Sequence, residues 1–324
     1  MPSSRIPSDE NIKTNVMVRA AWLYYMENMT QQEIAERLGI SRIKVMRILK
    51  EAREQDIVEI KVHSPLTGNL IMESDLRSLY HLTDVYITME ADEGEALSRI
   101  LTLAAAQILE QRLRPGLRVG VGLGRTTSYL PEYFVPSSQV ACTFVTLAGG
   151  LSSKETLEDN YVTIIQLAKK SGGDARYIYA PFLVSNKEIR DALLHDEVVN
   201  AVLEEARKSD VAIFSIGTPD DFSLLHQYNL ITIHELAEMR RAGAVGDALG
   251  RFFDNKGQEI LTNFNERVIG LSINELRRIP TRILVAGGPK KYPAIQGALF
   301  GEIPNILVTD AGTARYLLKG SKST

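Results

Sequence analysis

Met29-Thr-Gln-Gln-Glu-Ile-Ala-Glu-Arg-Leu-Gly-Ile-Ser-Arg-Ile-Lys-Val-Met-Arg-Ile-Leu-Lys50 reads as two short helices joined by a tight turn. Thr30 suits a helix N-cap. Glu33, three residues later, completes a capping box, in which each side chain satisfies the other residue's backbone N–H. Ile34, Ala35 and Leu38 share one face at helical spacing. Gly39 ends the helix, because glycine enters the left-handed conformation without a Cβ clash. Ile40 plugs the turn, and Ser41 caps the next helix. In that helix Val45, Ile48 and Leu49 point inward. Two helices joined by a glycine turn form the arrangement that lays a recognition helix in the DNA major groove.

The charge agrees. From Ser41 to Arg53 stand five basic residues (Arg42, Lys44, Arg47, Lys50 and Arg53) and one acid, Glu51. Neutralising phosphates takes a local basic face of this kind. A basic helix is more often only a solvated face, but here the caps, the glycine turn and the apolar spacing coincide with the charge. The candidate DNA contacts are Ser41, Arg42, Lys44 and Arg47 on the first turns of the recognition helix, with Thr30 and Gln31 at the start of the helix before it. Arginine can read guanine bidentately. Ile43 and Met46 are apolar without an evident core role, and contact with thymine methyls and simple packing both stay open.

Composition bounds the rest. At roughly 100–200 residues per domain, 324 residues suggest two domains. A net charge of −3 means that any nucleic-acid charge is local. The single cysteine, Cys142, excludes an internal disulfide and a cysteine-rich zinc site, and its apolar neighbours read it as a buried small hydrophobe in a reducing cytosol. Met1–Glu10 lacks the apolar centre of a signal peptide and reads as disordered. No run approaches ~18 apolar residues, so no membrane span and a cytoplasmic location are expected. The five histidines show no metal-ligand spacing, and no cofactor is expected.

A dense helical region spans about residues 15–55, and Ile57–Val62 alternates like a strand. The polar His63–Asn69 stretch, with its Pro and Gly, places a boundary. The expected domains are a helix-turn-helix domain over 1–63, a linker over 64–72 and an effector-binding, oligomerising domain over 73–324, with a helix near Leu70–Leu82. Beyond it, apolar runs at Asp84–Met89, Leu117–Val121, Cys142–Leu147, Arg176–Tyr179, Val211–Ile216, Arg282–Ala286 and Ile306–Thr309 alternate with helical segments such as Ala96–Leu113, Tyr161–Lys170 and Asp196–Lys208. Strands of continuous hydrophobicity separated by helices imply an α/β fold with a parallel sheet covered on both faces.

Several of these strands run into glycine-rich loops. Gly120-Val-Gly-Leu-Gly-Arg-Thr-Thr127 lets backbone N–H groups approach an anion, and Arg125, Thr126 and Thr127 add charge and hydroxyls. The spacing is neither that of a dinucleotide fingerprint nor that of a P-loop. Similar loops recur at Gly149-Gly150, Gly217-Thr218 and Gly287-Gly288. Ligands of open α/β sheets bind outside the strands' C-terminal ends, so convergence of the four is the stronger argument. Gly288 leads through Lys290 and Lys291 into a helix near Tyr292-Pro293, where proline suits the first turn. Asp247 can accept hydrogen bonds from sugar hydroxyls or merely brace a turn, Thr218 and Asp220 are further possible contacts, and Arg125 has Glu132 as a possible local partner. Lys154, Glu155 and Glu158 read as a solvated charge run. Tyr177, Tyr179, Phe252 and Phe253 read as core.

Leu38–Val58 resembles the recognition helix and exit of the SorC family of sugar-responsive regulators. The resemblance runs from about Val18 to Leu318, through Gly120–Thr126, Thr146–Gly150, Ser215–Asp220, Gly246–Asp254, Ala286–Ile295 and Thr309-Asp310, in matching order and spacing. It implies a Rossmann-like effector domain, similar in fold to sugar-phosphate isomerases and glucosamine-6-phosphate deaminase, usually assembled as a tetramer. It also implies Lys291 rather than Lys290 as the anion's partner.

The combined expectation is a non-enzymatic regulator of a carbohydrate or polyol catabolic operon. It binds double-stranded operator DNA as a homo-oligomer (dimer or tetramer), under the control of a phosphorylated sugar or polyol. The effector contacts are Gly124, Arg125, Thr126, Thr127, Gly149, Gly150, Thr218, Asp247, Gly288 and Lys291. The alternative is a sugar-phosphate isomerase or deaminase with an accessory helical domain. Such an enzyme needs an acid/base constellation, and Asp247 stands without one.

Overall fold

The computed structural model describes residues 9–60, 67–151, 160–221 and 223–320. The chain divides into two compact units between Thr67 and Gly68.

The first unit is helical: α1 Asp9–Tyr25, α2 Gln31–Leu38 and α3 Arg42–Glu54. Val45, Ile48 and Leu49 are buried against Met17, Ala20, Leu23 and Ile34, and each such side chain contributes about 1.5–3 kcal/mol of burial. Ala52 extends that inward face by one turn. The expected strand at Ile57–Val62 does not form over Ile57–Ile60, and its last two residues lie outside the described ones. Instead, the N–H groups of Ile57 and Val58 bond the Ala52 carbonyl, and both side chains pack onto the head core.

Helix α4 spans Thr67–Leu79, three residues earlier at each end than expected, so residues 67–72 are helical rather than linker. Leu76 is the buried residue of this helix and packs in the core of the second unit, to which the helix belongs from Gly68 onward. Met1–Ser8, the rest of the expected linker, and Lys154, Glu155 and Glu158 lie outside the described residues. Asp9 and Glu10, read with the N-terminal segment as disordered, already belong to α1.

The strands of the second unit are β1 Asp84–Thr88, β2 Arg118–Val121, β3 Thr143–Thr146, β4 Asp174–Arg176, β5 Val211–Phe214, β6 Ile216–Gly217, β7 Gly246–Ala248, β8 Arg251–Phe253, β9 Thr281–Val285 and β10 Ile306–Asp310. Seven form one parallel sheet in the order β1-β10-β9-β5-β2-β3-β4. Alternate residues of β5 enter two different cores: Ala212 and Phe214 one, Val211 and Ile213 the other. Leu284 and Leu307 join the first, and Ile283, Val285, Ile306 and Val308 the second. A sheet buried on both faces wants apolar side chains at every position, which is why these strands read as unbroken hydrophobic runs.

From β2 the chain steps outward through β3 to β4, then returns to β5 and steps the other way through β9 and β10. The order therefore reverses between β2 and β5, and a doubly wound sheet opens its ligand crevice at such a point. Beside it, β6, β7 and β8 form a small antiparallel sheet. Its tight turn is made by Leu249 and Gly250, both at positive φ (53° and 75°), as two-residue hairpins require.

Cys142 is buried, as are Phe252 and Phe253. Tyr177 is half-buried and packs against the core, whereas Tyr179 is 61% exposed, contrary to the core reading: β4 ends at Arg176, so both tyrosines lie past the strand and pack ring against ring, with centroids 4.4 Å apart. Among the described residues no helix is long and apolar enough to cross a membrane, and no cluster of His, Cys, Asp or Glu is placed to hold a metal ion.

Candidate functional site

The head presents one candidate surface. The Thr30 backbone N–H donates to Glu33 Oε2 at 2.7 Å, and the Glu33 N–H to Thr30 Oγ1 at 3.3 Å. Gly39 closes the helix at φ 65°, and Ser41 Oγ accepts from the Lys44 N–H at 3.2 Å. These caps set the start of α3 and leave Ser41, Arg42, Lys44 and Arg47 exposed together. Ile43, 80% exposed, and Met46 stand on that outward face and have no place in the core. Arg47 Nε lies 3.6 Å from Glu51 Oε1, and Lys50 Nζ 3.6 Å from Glu54 Oε1. Both are exposed pairs worth little in water, so a phosphate can displace the acid at small cost. Gln31 opens α2 beside Thr30, whose hydroxyl is engaged by the capping box.

The second unit holds a cavity of about 260 Å³ at the C-terminal ends of β2, β5 and β9. Of the expected effector contacts, Gly124, Arg125, Thr126, Thr218, Asp247, Gly288 and Lys291 line it. Three do not. The Thr127 hydroxyl turns inward and donates within its own loop, to the carbonyls of Gly122 at 2.8 Å and Gly124 at 2.9 Å. A Cβ on Gly149 would lie 2.6 Å from the Ala180 and Pro181 carbonyl oxygens, and one on Gly150 2.5 Å from the Tyr161 ring. Those two glycines admit neighbouring chain and ring, not a ligand.

Close backbone approach also builds the cavity. A Cβ at Gly124 would meet Ser215 Oγ at 2.2 Å, and one at Gly287 would meet Asp310 Oδ2 at 2.3 Å. The Gly288 N–H, expected to face an anion, instead serves Asp310 Oδ2 at 3.0 Å and Thr313 Oγ1 at 2.9 Å. Gly288 therefore contributes room rather than a donor.

Asp247 sits on β7 opposite Gly217, 7% exposed. The Gly250 N–H donates to its Oδ2 at 3.2 Å, so the carboxylate both braces the hairpin turn and faces the cavity. Burial pushes its carboxyl up to about 6, against the opposing pull of the Gly250 N–H and of Lys291. Burial likewise pushes the Lys291 ammonium down to about 8; Asp247 and Asp220 act to raise it and Arg125 to lower it. Both shifts bring the charge changes of these two side chains towards neutral pH. The Arg125 guanidinium donates to Gln227 Oε1 at 2.7 Å, and Thr218 Oγ1 to Asp220 Oδ2 at 2.9 Å. Glu132, the alternative partner considered for Arg125, pairs with Arg99.

Sequence reasoning missed half the wall. Gly94, Leu97, Ser98 and Leu101 come from the start of the helix α5, Glu95–Glu110, and Leu224 and Leu225 from the segment after β6. No local pattern marks these residues; only the sheet order brings them in. Ser223 also lines the cavity. It is 2% exposed, and among the described residues its Oγ has no hydrogen-bond partner, an exception among buried polar groups that calls for an explanation.

The Sugar-bind family model of sugar-binding domains matches residues 64–319, and the model of sigma-70 region 4 matches residues 22–55. The chain is 31% identical over 307 residues to the deoxyribonucleoside regulator of Bacillus subtilis, covering 94% of this chain and 98% of that protein. It is 36% identical over 314 residues to the transcriptional regulator LsrR of Escherichia coli K12, covering 94% of each. The full-length sorbitol operon regulator SorC from Klebsiella pneumoniae superposes with a TM-score of 0.72 at 28% identity, over 97% of this chain and all of that one. These relatives are transcriptional regulators, and the cavity accordingly belongs to a regulator and not to an enzyme. The chain belongs to the SorC family of sugar-binding, DNA-binding transcriptional regulators.

Proposed function

We propose that this regulator controls a carbohydrate or polyol catabolic operon in the cytoplasm, and that a phosphorylated sugar or polyol in the cavity sets its affinity for the operator. The observation that carries this reading is the pairing of cations with one buried carboxylate. Arg125, Lys290 and Lys291 line the same small cavity as Asp247, at the point where the strand order reverses. Arg125 and Lys291 take the phosphate, with Thr126 and the Gly124 backbone beside them. Asp247 and Thr218 accept from or donate to the hydroxyls, and Gly288 gives the ligand room.

On the DNA side, Ser41, Arg42, Lys44 and Arg47 of α3, with Thr30 and Gln31 of α2, meet the operator. Two heads of a homo-oligomer, dimer or tetramer, occupy two half-sites, as palindromic operators demand. The effector acts by binding one arrangement of subunits more tightly than the other, and its effect equals that difference in affinity.

A thermal-shift screen of phosphorylated and free sugars and polyols tests the proposal. A ligand that binds only the folded state raises the melting temperature by mass action. The expected result is a shift with a phosphorylated compound that is lost in Lys291→Ala. Shifts with free polyols alone would refute the phosphate assignment.

A further inference from the structure

A second cavity lies wholly within the head, in an open groove of about 640 Å³ beside the helix-turn-helix. Tyr24, Tyr25, Asn28, Gln31 and Arg42 contribute its hydrogen-bonding wall. The two tyrosine rings pack on the head core and meet edge to face, with centroids 4.9 Å apart at 87°, so they form a fixed part of that wall. Among the described residues, neither phenol hydroxyl, nor the side-chain amides of Asn28 and Gln31, nor the Arg42 guanidinium has a partner within the chain. Three other cations of the head are paired: Arg37 with Glu27, Arg47 with Glu51 and Lys50 with Glu54. Glu33 and Glu36 are held by Thr30 and Gln32, and among the described residues no carboxylate lines the groove.

A wall of phenol, amide and guanidinium donors without an acid complements a group that only accepts hydrogen bonds and carries negative charge. A phosphodiester is such a group. Tyrosine, asparagine, glutamine and arginine are among the side chains that bond DNA phosphates and so set a protein's register on the duplex. The groove also shares Arg42 with the exposed basic start of α3, so an occupant would be continuous with DNA lying along that helix.

We propose that this groove seats a backbone phosphate of duplex DNA, held by the Arg42 guanidinium and by donors from Tyr24, Tyr25, Asn28 and Gln31. The inference rests on the DNA-binding reading of the head. It differs from base recognition in being independent of sequence, so it can be tested without knowing the operator.

The test uses the full-length protein and a fluorescently labelled duplex of random sequence, with affinity followed by anisotropy across a salt series. Arg42→Ala should weaken binding and lower the slope of log affinity against log salt by about 1, the loss of one phosphate contact. Tyr24→Phe/Tyr25→Phe keeps both rings, and should weaken binding about three- to tenfold with the slope unchanged, because a phenol carries no charge. Melting curves equal to wild type show that the head stays folded. Wild-type affinity in the tyrosine variant, with an unchanged slope in Arg42→Ala, would overturn the groove while leaving DNA binding intact. A wild-type protein that binds no duplex even at low salt would overturn the DNA-binding reading itself, and the groove with it. Inorganic phosphate at matched ionic strength separates the two sources of phosphate. If it alone raises the melting temperature, and Arg42→Ala abolishes the rise, the groove is a small-anion site and the duplex assignment fails.

Discussion

A Cβ at Gly217 would stand 2.2 Å from Oδ1 of Asp247, so the bare Cα of the glycine is what allows the buried carboxylate its place at the cavity wall. The two residues are paired across β6 and β7. In Gly217→Ala the end of the Asp247 side chain has to move, because it is the nearest atom and the strand backbone is not. The expected result is a modest loss of stability, about 1–2 kcal/mol, with effector affinity falling at least tenfold. Isothermal titration and thermal melting together decide it; unchanged affinity would show that Asp247 does not hold the ligand.

Asp247 should also imprint a pH dependence on stability. Its carboxyl is raised from 3.8 to about 6 in the fold, so the folded protein holds the proton more tightly than the unfolded chain. The stabilisation is full below about pH 4 and is lost as pH rises through about 6, a span of about 3 kcal/mol. Melting curves of Asp247→Asn should lie several degrees above wild type at about pH 7.5, and the advantage should vanish near pH 4. A constant offset between the two proteins at every pH would contradict this.

The opposite sign holds for Lys291. Its ammonium is lowered from 10.5 to about 8, so its contribution to stability is present above 10.5 and is lost as pH falls through about 8. An anionic effector needs the proton that burial has loosened. Affinity for a phosphorylated effector should therefore decline as pH climbs through about 8. Lys291→Arg, which stays charged, should bind with no decline there, whereas an identical profile in both proteins would assign the phosphate to another residue.

Ser223 offers a separation of stability from binding. Its buried Oγ forms no hydrogen bond among the described residues, so Ser223→Ala removes an unsatisfied group. The melting temperature of the ligand-free variant should equal or slightly exceed that of wild type. Effector affinity should fall about fivefold to tenfold, the worth of one hydrogen bond. A clear drop in ligand-free stability would show instead that the hydroxyl is structural.

In the head, Gly39→Ala isolates backbone strain, because an added Cβ meets nothing within 4 Å but must accept φ 65°. It should destabilise the head by about 1 kcal/mol, weaken operator binding, and leave the effector-induced shift of the second unit unchanged. Loss of that shift would mean that the two units do not melt separately.

The helix-turn-helix from Thr30 to Leu49 was legible residue by residue, because a capping box, a left-handed glycine and an apolar stripe are all local; the strand expected from Ile57 does not form, because Ile57 and Val58 bond back to Ala52. The sheet was legible for a different reason: burial on both faces leaves unbroken apolar runs such as Val211–Phe214. The cavity was legible only in part. Gly124 and Gly149 look alike in sequence, yet one opens onto Ser215 and the cavity while the other admits the chain at Ala180 and Pro181. Long-range packing alone decides between them. The hairpin at Leu249-Gly250 escaped because leucine at positive φ contradicts the usual turn chemistry, and its strands are three residues each. Ser223, Leu224 and Leu225 carry no pattern; they matter because the segment after β6 folds back over the crevice.

The reversal of strand order between β2 and β5 also sets a timetable. The cavity draws on Gly124, Ser215 and Lys291, so it cannot close until β9 and the residues after it have been synthesised. The head, by contrast, lies before all of these residues in the chain, and domains fold as units as the ribosome releases them. The helical unit, with its own core, can therefore fold before the cavity of the second unit exists.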